Sequence, residues 1–516
     1  MTQEKSIIKS RSERSVRNAV FTFGGHVVTI LLQFVNRKVF VSLLDAEYLG
    51  LNGLFSNILS LLALSELGVG MAMTYALYKP IADNDIPRIK SLMKLYKKVY
   101  SVIGFFVLAA GALLTPILHL LIKDMPDIPY IRIYYLLYVL NSGMTYFYAY
   151  KKTAIICNQD AYITSISTTI ASIATKLLQI IVLWLTGSFF AYLIIQVVIT
   201  RLENIVISKI ADKHYPYLKD KNVEELSPED KKDIKTNVMA MLCHKIGDVI
   251  VNATDNIILS KVLGLVSVGA FSNYVLLFDN VKAISFGVIR STSASVGNFI
   301  AKKDKEETYK IYKNLIFVNF WIIGFCSICL VCLIQDFIKI WLGDAYLLDF
   351  GTVMVLGACF YFTGMRLVNL VFKEAAGFFR QDRYKALFEA VLNLVISIPL
   401  TIHMGIVGVK LGTLISTLLV PFWIEAMVVY KHLFQKSLWR YLLLQAGYAA
   451  LTVAMTAVTW FACSMLPLKG LRHFVIEAGV CCILPNALIA ILFFRSDEFI
   501  FFRNLLLNRL KRRKNK

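Results

Sequence analysis

The sequence predicts an all-α polytopic membrane protein: fourteen transmembrane helices, arranged as two six-helix lobes in a parallel pseudo-twofold repeat plus two C-terminal helices. Three observations predict it. Of the 516 residues 57% are hydrophobic and only 17% charged, with a mean hydropathy of +0.63, an apolar excess and a charge deficit relative to soluble domains. Apolar runs long enough to cross roughly 30 Å of hydrocarbon as helix recur along nearly the whole chain. The chain also aligns with itself. At an offset of 216, GLFSN (53–57) meets GAFSN (269–273), Asn36 meets Asn252 and LYKK (95–98) meets IYKN (311–314); at an offset of 222, KKTAIICNQDAY (151–162) meets KEAAGFFRQDRY (373–384).

The expected span cores are 18–38, 50–77, 99–122, 131–150, 161–186, 189–209, 237–260, 266–295, 314–335, 351–372, 385–404, 407–430, 441–465 and 472–494. A β-barrel would instead show segments of about ten residues with alternating polarity, and these runs are continuous. The opening MTQEKSIIKSRSERSVRN is charged and enters the first span without a small-residue cleavage site, so that span is expected to stay. The first twelve spans are two copies of six. An even number per copy makes both enter the membrane in the same direction, the two-lobe plan of many transporters. The expected domains are an N-terminal lobe (1–209), a polar cytoplasmic linker (210–236), a C-terminal lobe (237–432), and residues 433–516 with spans 13 and 14 and a basic tail.

The chain has 55 Lys and Arg against 34 Asp and Glu. With the N-terminus inside, 41 of the 55 basic residues fall on cytoplasmic segments. That is the positive-inside asymmetry, so the basic charge is topological, with anionic membrane lipids as partners and no nucleic acid. Both termini are expected in the cytoplasm. Cys326, Cys329 and Cys332 have a ligand-like spacing but lie in the apolar FCSICLVCLIQ, where cysteine packs as a small hydrophobe. No metal, disulfide or cofactor is assigned. No P-loop occurs, the external loops are short, and no nucleophile–base pairing is visible, so no catalytic residue is assigned and the chain is not expected to be an enzyme.

Ionisable groups in mid-membrane are costly and usually face a bundle interior or a wet cavity. In span 1, Asn18, Thr22, His26, Thr29, Gln33, Asn36 and Arg37 recur at helical spacing on one face. Span 7 repeats the stripe with Lys245, Asp248, Asn252 and Asp255, and span 8 carries Asp279, Lys282, Phe286 and Arg290. Span 2 carries Glu66, whose repeat equivalent is Lys282. Spans 1, 2, 7 and 8 are expected to wall one chamber. Two readings stand for Lys245–Asp248 and Asp279–Lys282, each three residues apart: chamber groups, or neutral pairs along one helix. Arg37, Glu66, Asp255 and Arg290 have no evident local partner. Lys176, Arg366 and Lys410 are single cations that either meet a ligand or support packing. The tyrosines of span 4 are read as core and interface residues rather than a sugar platform, and GVKLG (408–412) as a close helix contact. Lys and Gln-Asp in the duplicated 151–162 and 373–384 segments are expected to orient cytoplasmic helix ends.

The whole arrangement, with EYLGLNGLFSNILSLLALSELGVGMAMTYALYKPIADND (47–85) and RIKSLMKLYKKVY (88–100), resembles bacterial polysaccharide repeat-unit flippases of the multidrug/oligosaccharidyl-lipid/polysaccharide exporter superfamily. The resemblance implies movement of an undecaprenyl-pyrophosphate-linked oligosaccharide between leaflets of the bacterial cytoplasmic membrane by alternating access, beside polysaccharide polymerase machinery. It also implies a cationic cavity. Arg37 and Lys282 or Arg290 match the family's pyrophosphate cations in kind; span 2 offers Glu66 where the family has a cation, leaving Lys245 as a substitute, with Arg366 and Lys410 as further candidates. Glu66, Asp248 and Asp255 are candidates for a coupling cation, H+ or Na+; His26, Asn36, Asn252 and Asp279 for the polar wall. The competing functions are a drug or cation exporter of the same superfamily and a multi-span glycan polymerase or acyltransferase.

Overall fold

The computed structural model describes residues 24–504 apart from 26, 67, 68, 124, 159, 221, 222, 379, 380, 383 and 467–469, and the backbone alone at further positions within helices. Among the described residues every regular element is a helix. The chain forms two compact units, Met1–Gly269 and Ala270–Lys516.

In the first unit α1 covers 27–43 and α2 Ala46–Leu62. A 3-10 turn, Ala63–Glu66, interrupts the second expected span before α3, Val69–Ala82. Then come α4 (Ile86–Leu114), the short α5 (Leu118–Leu121), α6 (Ile131–Cys157), α7 (Ala161–Thr186), α8 (Phe189–His214) and α9 (Pro228–Leu263). Local chemistry explains the ends. Asp85 caps α4 by accepting from Arg88 N at 3.1 Å, with Pro87 in the first turn, where its missing N–H costs nothing. α7 stops at Gly187, whose φ of +60° is the left-handed conformation glycine adopts freely. The core is aromatic: Phe40 and Tyr192 meet edge to face at 5.3 Å, as do Phe55 and Tyr135 at 5.2 Å.

α9 packs on α2 and α3 within this unit. Two glycines permit the approach beside it. A Cβ on Gly50 would lie 2.1 Å from the Leu265 carbonyl oxygen, and one on Gly53 would lie 3.3 Å from Asn256 Nδ2. The compact division at Gly269 thus falls later in the chain than the lobe boundary expected within 210–236.

The second unit holds most of α10 (Leu265–Arg290), then α11 (Ser293–Lys302), α12 (Lys305–Leu342), α13 (Phe350–Met365), α14 (Leu367–Ala375), α15 (Lys385–Met404), α16 (Ile406–Leu419), α17 (Pro421–Val428, continued by the π-helical Val429–Phe434), α18 (Leu438–Ser464) and α19 (Gly470–Phe493). Asp304 caps α12, with Glu306 and Glu307 in its first turn, where acidic groups favour the helix dipole. Its core centres on Tyr312, Phe317, Phe320, Tyr430 and Tyr441, all nearly fully buried. Outward faces are apolar: Trp184, Leu185, Ile483 and Trp439 are exposed, as suits a hydrocarbon surround.

Nine helical segments among the described residues are long and apolar enough to cross a membrane: Ile86–Leu121, Ala161–Thr186, Phe189–His214, Lys305–Leu342, Phe350–Ala375, Lys385–Met404, Ile406–Phe434, Leu438–Ser464 and Gly470–Phe493. The described parts of the other five expected spans are mainly helical as well, with reasons for falling outside that set. The described part of α1 is short, and the second span is broken at Glu66. α6 holds six tyrosines between 131 and 150, α9 carries Lys245, Asp248 and Asp255, and α10 carries Asp279, Lys282 and Arg290.

Candidate functional site

Most sequence-predicted residues fall on α1, α9 and α10. His26, like Asn18 and Thr22, lies outside the described residues, as do the side chains of Lys245, Asp248 and Asn252, whose backbone belongs to α9. In α1 the stripe is partly internal to the first unit. Thr29 bonds back to the Gly25 carbonyl at 2.8 Å, ordinary helix behaviour for threonine. Asn36 is buried, donates to the Lys176 carbonyl of α7 at 3.3 Å and accepts from the Tyr192 hydroxyl of α8 at 3.2 Å. It ties three helices together. Arg37, beside it and half-buried, is an electrostatic neighbour of Tyr138 and Tyr192. Tyr138 donates to Asn52 Oδ1 of α2 at 2.7 Å. Lys176 contributes through its backbone carbonyl, a role that side-chain patterning does not reveal.

Span 4 supplies core, as its composition suggested: Tyr134, Tyr135, Tyr138, Tyr146 and Tyr150 are all buried. Glu66, which lacks a local partner in sequence, has one in space. The Tyr100 hydroxyl of α4 donates to its Oε1 at 2.6 Å, and Tyr146 is a second electrostatic neighbour. The helical break places the carboxylate there, since the 3-10 turn ends at Glu66. Asp255 is buried on α9, 3% exposed, one residue from the Asn256 that faces Gly53.

In the second unit Asp279 and Arg290 are exposed on α10. Lys282 sits over Phe286, Nζ to ring centroid 5.6 Å, and Lys410 over Phe271 at 5.4 Å. Both candidate lysines therefore lie against phenylalanine faces of the same helix, within cation–π range. Phe286 in turn packs on Phe360 at 5.9 Å.

Arg366 has a different setting. Its Nε and Nη2 donate to the two carboxylate oxygens of Glu425 at 3.0 and 2.8 Å, and Nη1 is 3.8 Å from Glu389. Lys385 also pairs with Glu425 and lies 3.3 Å from Asp382, which accepts from Lys373 at 2.6 Å. Thr417 donates to Glu389 at 3.3 Å. Three cations and three carboxylates thus close on one another at the junction of α13, α14, α15 and α17. Five are at most 9% exposed overall, and the Arg366 side chain is 11% exposed. Glu389 and Glu425 each sit in an apolar run and Lys385 directly follows the duplicated 373–384 segment; their grouping with Arg366 arises only when the helices meet.

The duplicated segments behave differently in the two copies. Lys373 and Asp382 pair directly, whereas their offset equivalents both bind the end of α8: Lys151 donates to Asp212 at 2.8 Å and Asp160 accepts from Tyr215 at 2.7 Å. Burial first, then the bond to Asp160, raises the Tyr215 hydroxyl above the ordinary tyrosine range, so it stays protonated and donating at physiological pH. GVKLG is a contact site: Cβ atoms on Gly408 and Gly412 would lie 2.0 Å from the Leu400 carbonyl oxygen and 2.2 Å from Ser397 Oγ.

Residues 15–296 match the family model described as polysaccharide biosynthesis protein. Among solved structures the chain is similar to the lipid II flippase MurJ in an inward closed conformation, with a TM-score of 0.67 at 13% identity over 93% of this chain and 99% of that one. It is similar to an inward-facing multidrug resistance MATE family transporter of the MOP superfamily, TM-score 0.62 at 15% identity over 80% and 98%. A third is a point mutant of the Vibrio cholerae MATE transporter VcmN, TM-score 0.58 at 13% identity over 83% and 98%. At these identities the likeness is one of fold. No curated protein sequence matches the chain.

Proposed function

The chain belongs to the polysaccharide biosynthesis protein family, within the multidrug/oligosaccharidyl-lipid/polysaccharide exporter superfamily, and from that premise we propose that it is a flippase for undecaprenyl-pyrophosphate-linked oligosaccharide repeat units. It carries them across the bacterial cytoplasmic membrane for capsule or O-antigen-type surface polysaccharide, by alternating access of two six-helix lobes within fourteen spans. The observation that carries this reading is the family match over 15–296, a stretch that includes Arg37, Glu66, Lys245, Asp255, Lys282 and Arg290. The charges carried by α9 and α10, spans assigned to the chamber, support it, because a helix facing a wet cavity must be polar on one side.

In this reading Arg37, Lys282 and Arg290 meet the pyrophosphate, with Lys245 in the place the family gives to a cation on span 2. Arginine suits the task because its fork binds two phosphate oxygens at once. Lys282 and Lys410, lying on phenylalanine rings, set their amino groups beside an apolar surface that accepts a polyprenyl chain. Asp255 is the first candidate for the coupling cation, H+ or Na+. Arg366 leaves the ligand set, because its guanidinium is engaged by Glu425. The MATE likenesses favour one second reading, an exporter of lipophilic cations. A liposome experiment separates the two. Purified chain should move a fluorescent undecaprenyl-pyrophosphate oligosaccharide between leaflets, and Arg37→Ala and Arg290→Ala should each abolish movement without loss of folded protein. Efflux of a lipophilic cation with no glycolipid movement would replace the flippase by the exporter.

A further inference from the structure

Near the C-terminal end of α12 and the N-terminal end of α19, Asp336, His473 and Glu477 face one another, each offering a ligand atom within 4.8 Å of the others. His473 and Glu477 are four residues apart and so share one face of α19; Asp336 comes from α12. The carboxyl groups of Glu477 and Asp336 lie in side-chain contact. His473 Nε2 is 3.6 Å from Asp336 Oδ2, beyond hydrogen-bond length. His473 Nδ1 and Glu477 Oε2 are buried without a hydrogen-bond partner among the described residues, and Glu477 is only 4% exposed. A buried carboxylate oxygen left unsatisfied beside a second carboxylate is costly, and one shared cation would satisfy both carboxylates and the imidazole at once.

We propose that Asp336, His473 and Glu477 bind a first-row divalent cation of the zinc type, with a fourth position open to water, and that the ion staples α19 to α12. One imidazole and two carboxylates fit this class: zinc takes nitrogen and oxygen ligands at about 2.0–2.2 Å in tetrahedral sites. Calcium needs six to eight oxygens, more than three side chains provide. Softer donors lie nearby, because Cys332 and Cys481 are each one turn from Asp336 and Glu477 on the same helices, and Cys463 Sγ is 3.9 Å from Cys481 Sγ. The test must therefore separate the two donor sets.

Tag-free full-length chain, purified in detergent and stripped with chelator, is to be titrated with Zn2+, with elemental analysis after gel filtration and thermal unfolding with and without the ion. The expected result is one Zn2+ per chain and a rise in Tm. Glu477→Gln, which keeps shape and volume, and His473→Ala should each weaken binding by at least about tenfold and remove the rise, while Cys481→Ser changes neither. Co2+ in place of Zn2+ should give only weak visible bands. The proposal is overturned if the wild-type chain retains no Zn2+, if Glu477→Gln binds as the wild type does, or if Co2+ gives a strong near-ultraviolet thiolate band that Cys481→Ser removes.

Discussion

Arg366 makes a two-pronged bond to Glu425 in a pocket where Lys385, Lys373, Asp382 and Glu389 complete the charge balance. Removing one partner of such a group leaves an uncompensated buried charge, at about 3–5 kcal/mol. Arg366→Ala should therefore lower the unfolding temperature of the purified protein markedly, and Arg366→Lys, which keeps charge but loses the fork, should fall between it and wild type. An unchanged melting curve for Arg366→Ala would remove the ionic cluster from the stability of the second unit. Asp255 belongs to the same scale with a different expectation. Asp255→Asn should express and fold normally and abolish gradient-dependent flipping in proteoliposomes, whereas unchanged flipping would end its candidacy for coupling. The partner of Arg366 lies 59 residues away in sequence, a distance that helical periodicity does not span.

At the scale of elements, α15 and α16 form a hairpin whose closeness depends on Gly408 and Gly412. A methyl group at Gly412 would collide with Ser397, including its backbone, whereas one at Gly479 on α19 would meet nothing within 4 Å. Gly412→Ala should destabilise the protein. Gly479→Ala should be neutral or stabilising, by up to about 1 kcal/mol from helix propensity; thermal unfolding of the two variants side by side checks the contrast. The interruption of the second span at Ala63–Glu66 belongs here too. Hydropathy treats residues 50–77 as one run, and only the packing against Tyr100 reveals why the helix breaks where its carboxylate can be satisfied.

For the whole molecule, the proposed fourteen-span topology makes a prediction of its own. With native cysteines replaced, a cysteine at Leu347 should react with a membrane-impermeant thiol reagent applied to intact cells. One at Asp220, in the linker between α8 and α9, should react only after lysis. Reaction at both before lysis would require a different number of crossings. The same topology carries the positive-inside count of 41 cytoplasmic basic residues, so one mislocated helix would invert both results downstream of it.

The protein class, the helical segments, the internal likeness at offsets 216 and 222, and the family were all legible in the unfolded chain. Each depends on composition and on local period, which a chain displays before it folds. Which charges are free to meet a ligand, and which already have partners, emerges only when the helices pack. Asn36 tied to α7 and α8, Glu66 held by Tyr100, Lys282 and Lys410 laid on rings of α10, and Asp336 brought to His473 and Glu477 show this. A buried polar group must find a partner somewhere. In a bundle of apolar helices that partner mostly lies across an interface, and the rotation and crossing of the helices, which small residues such as Gly50 and Gly412 permit, select it.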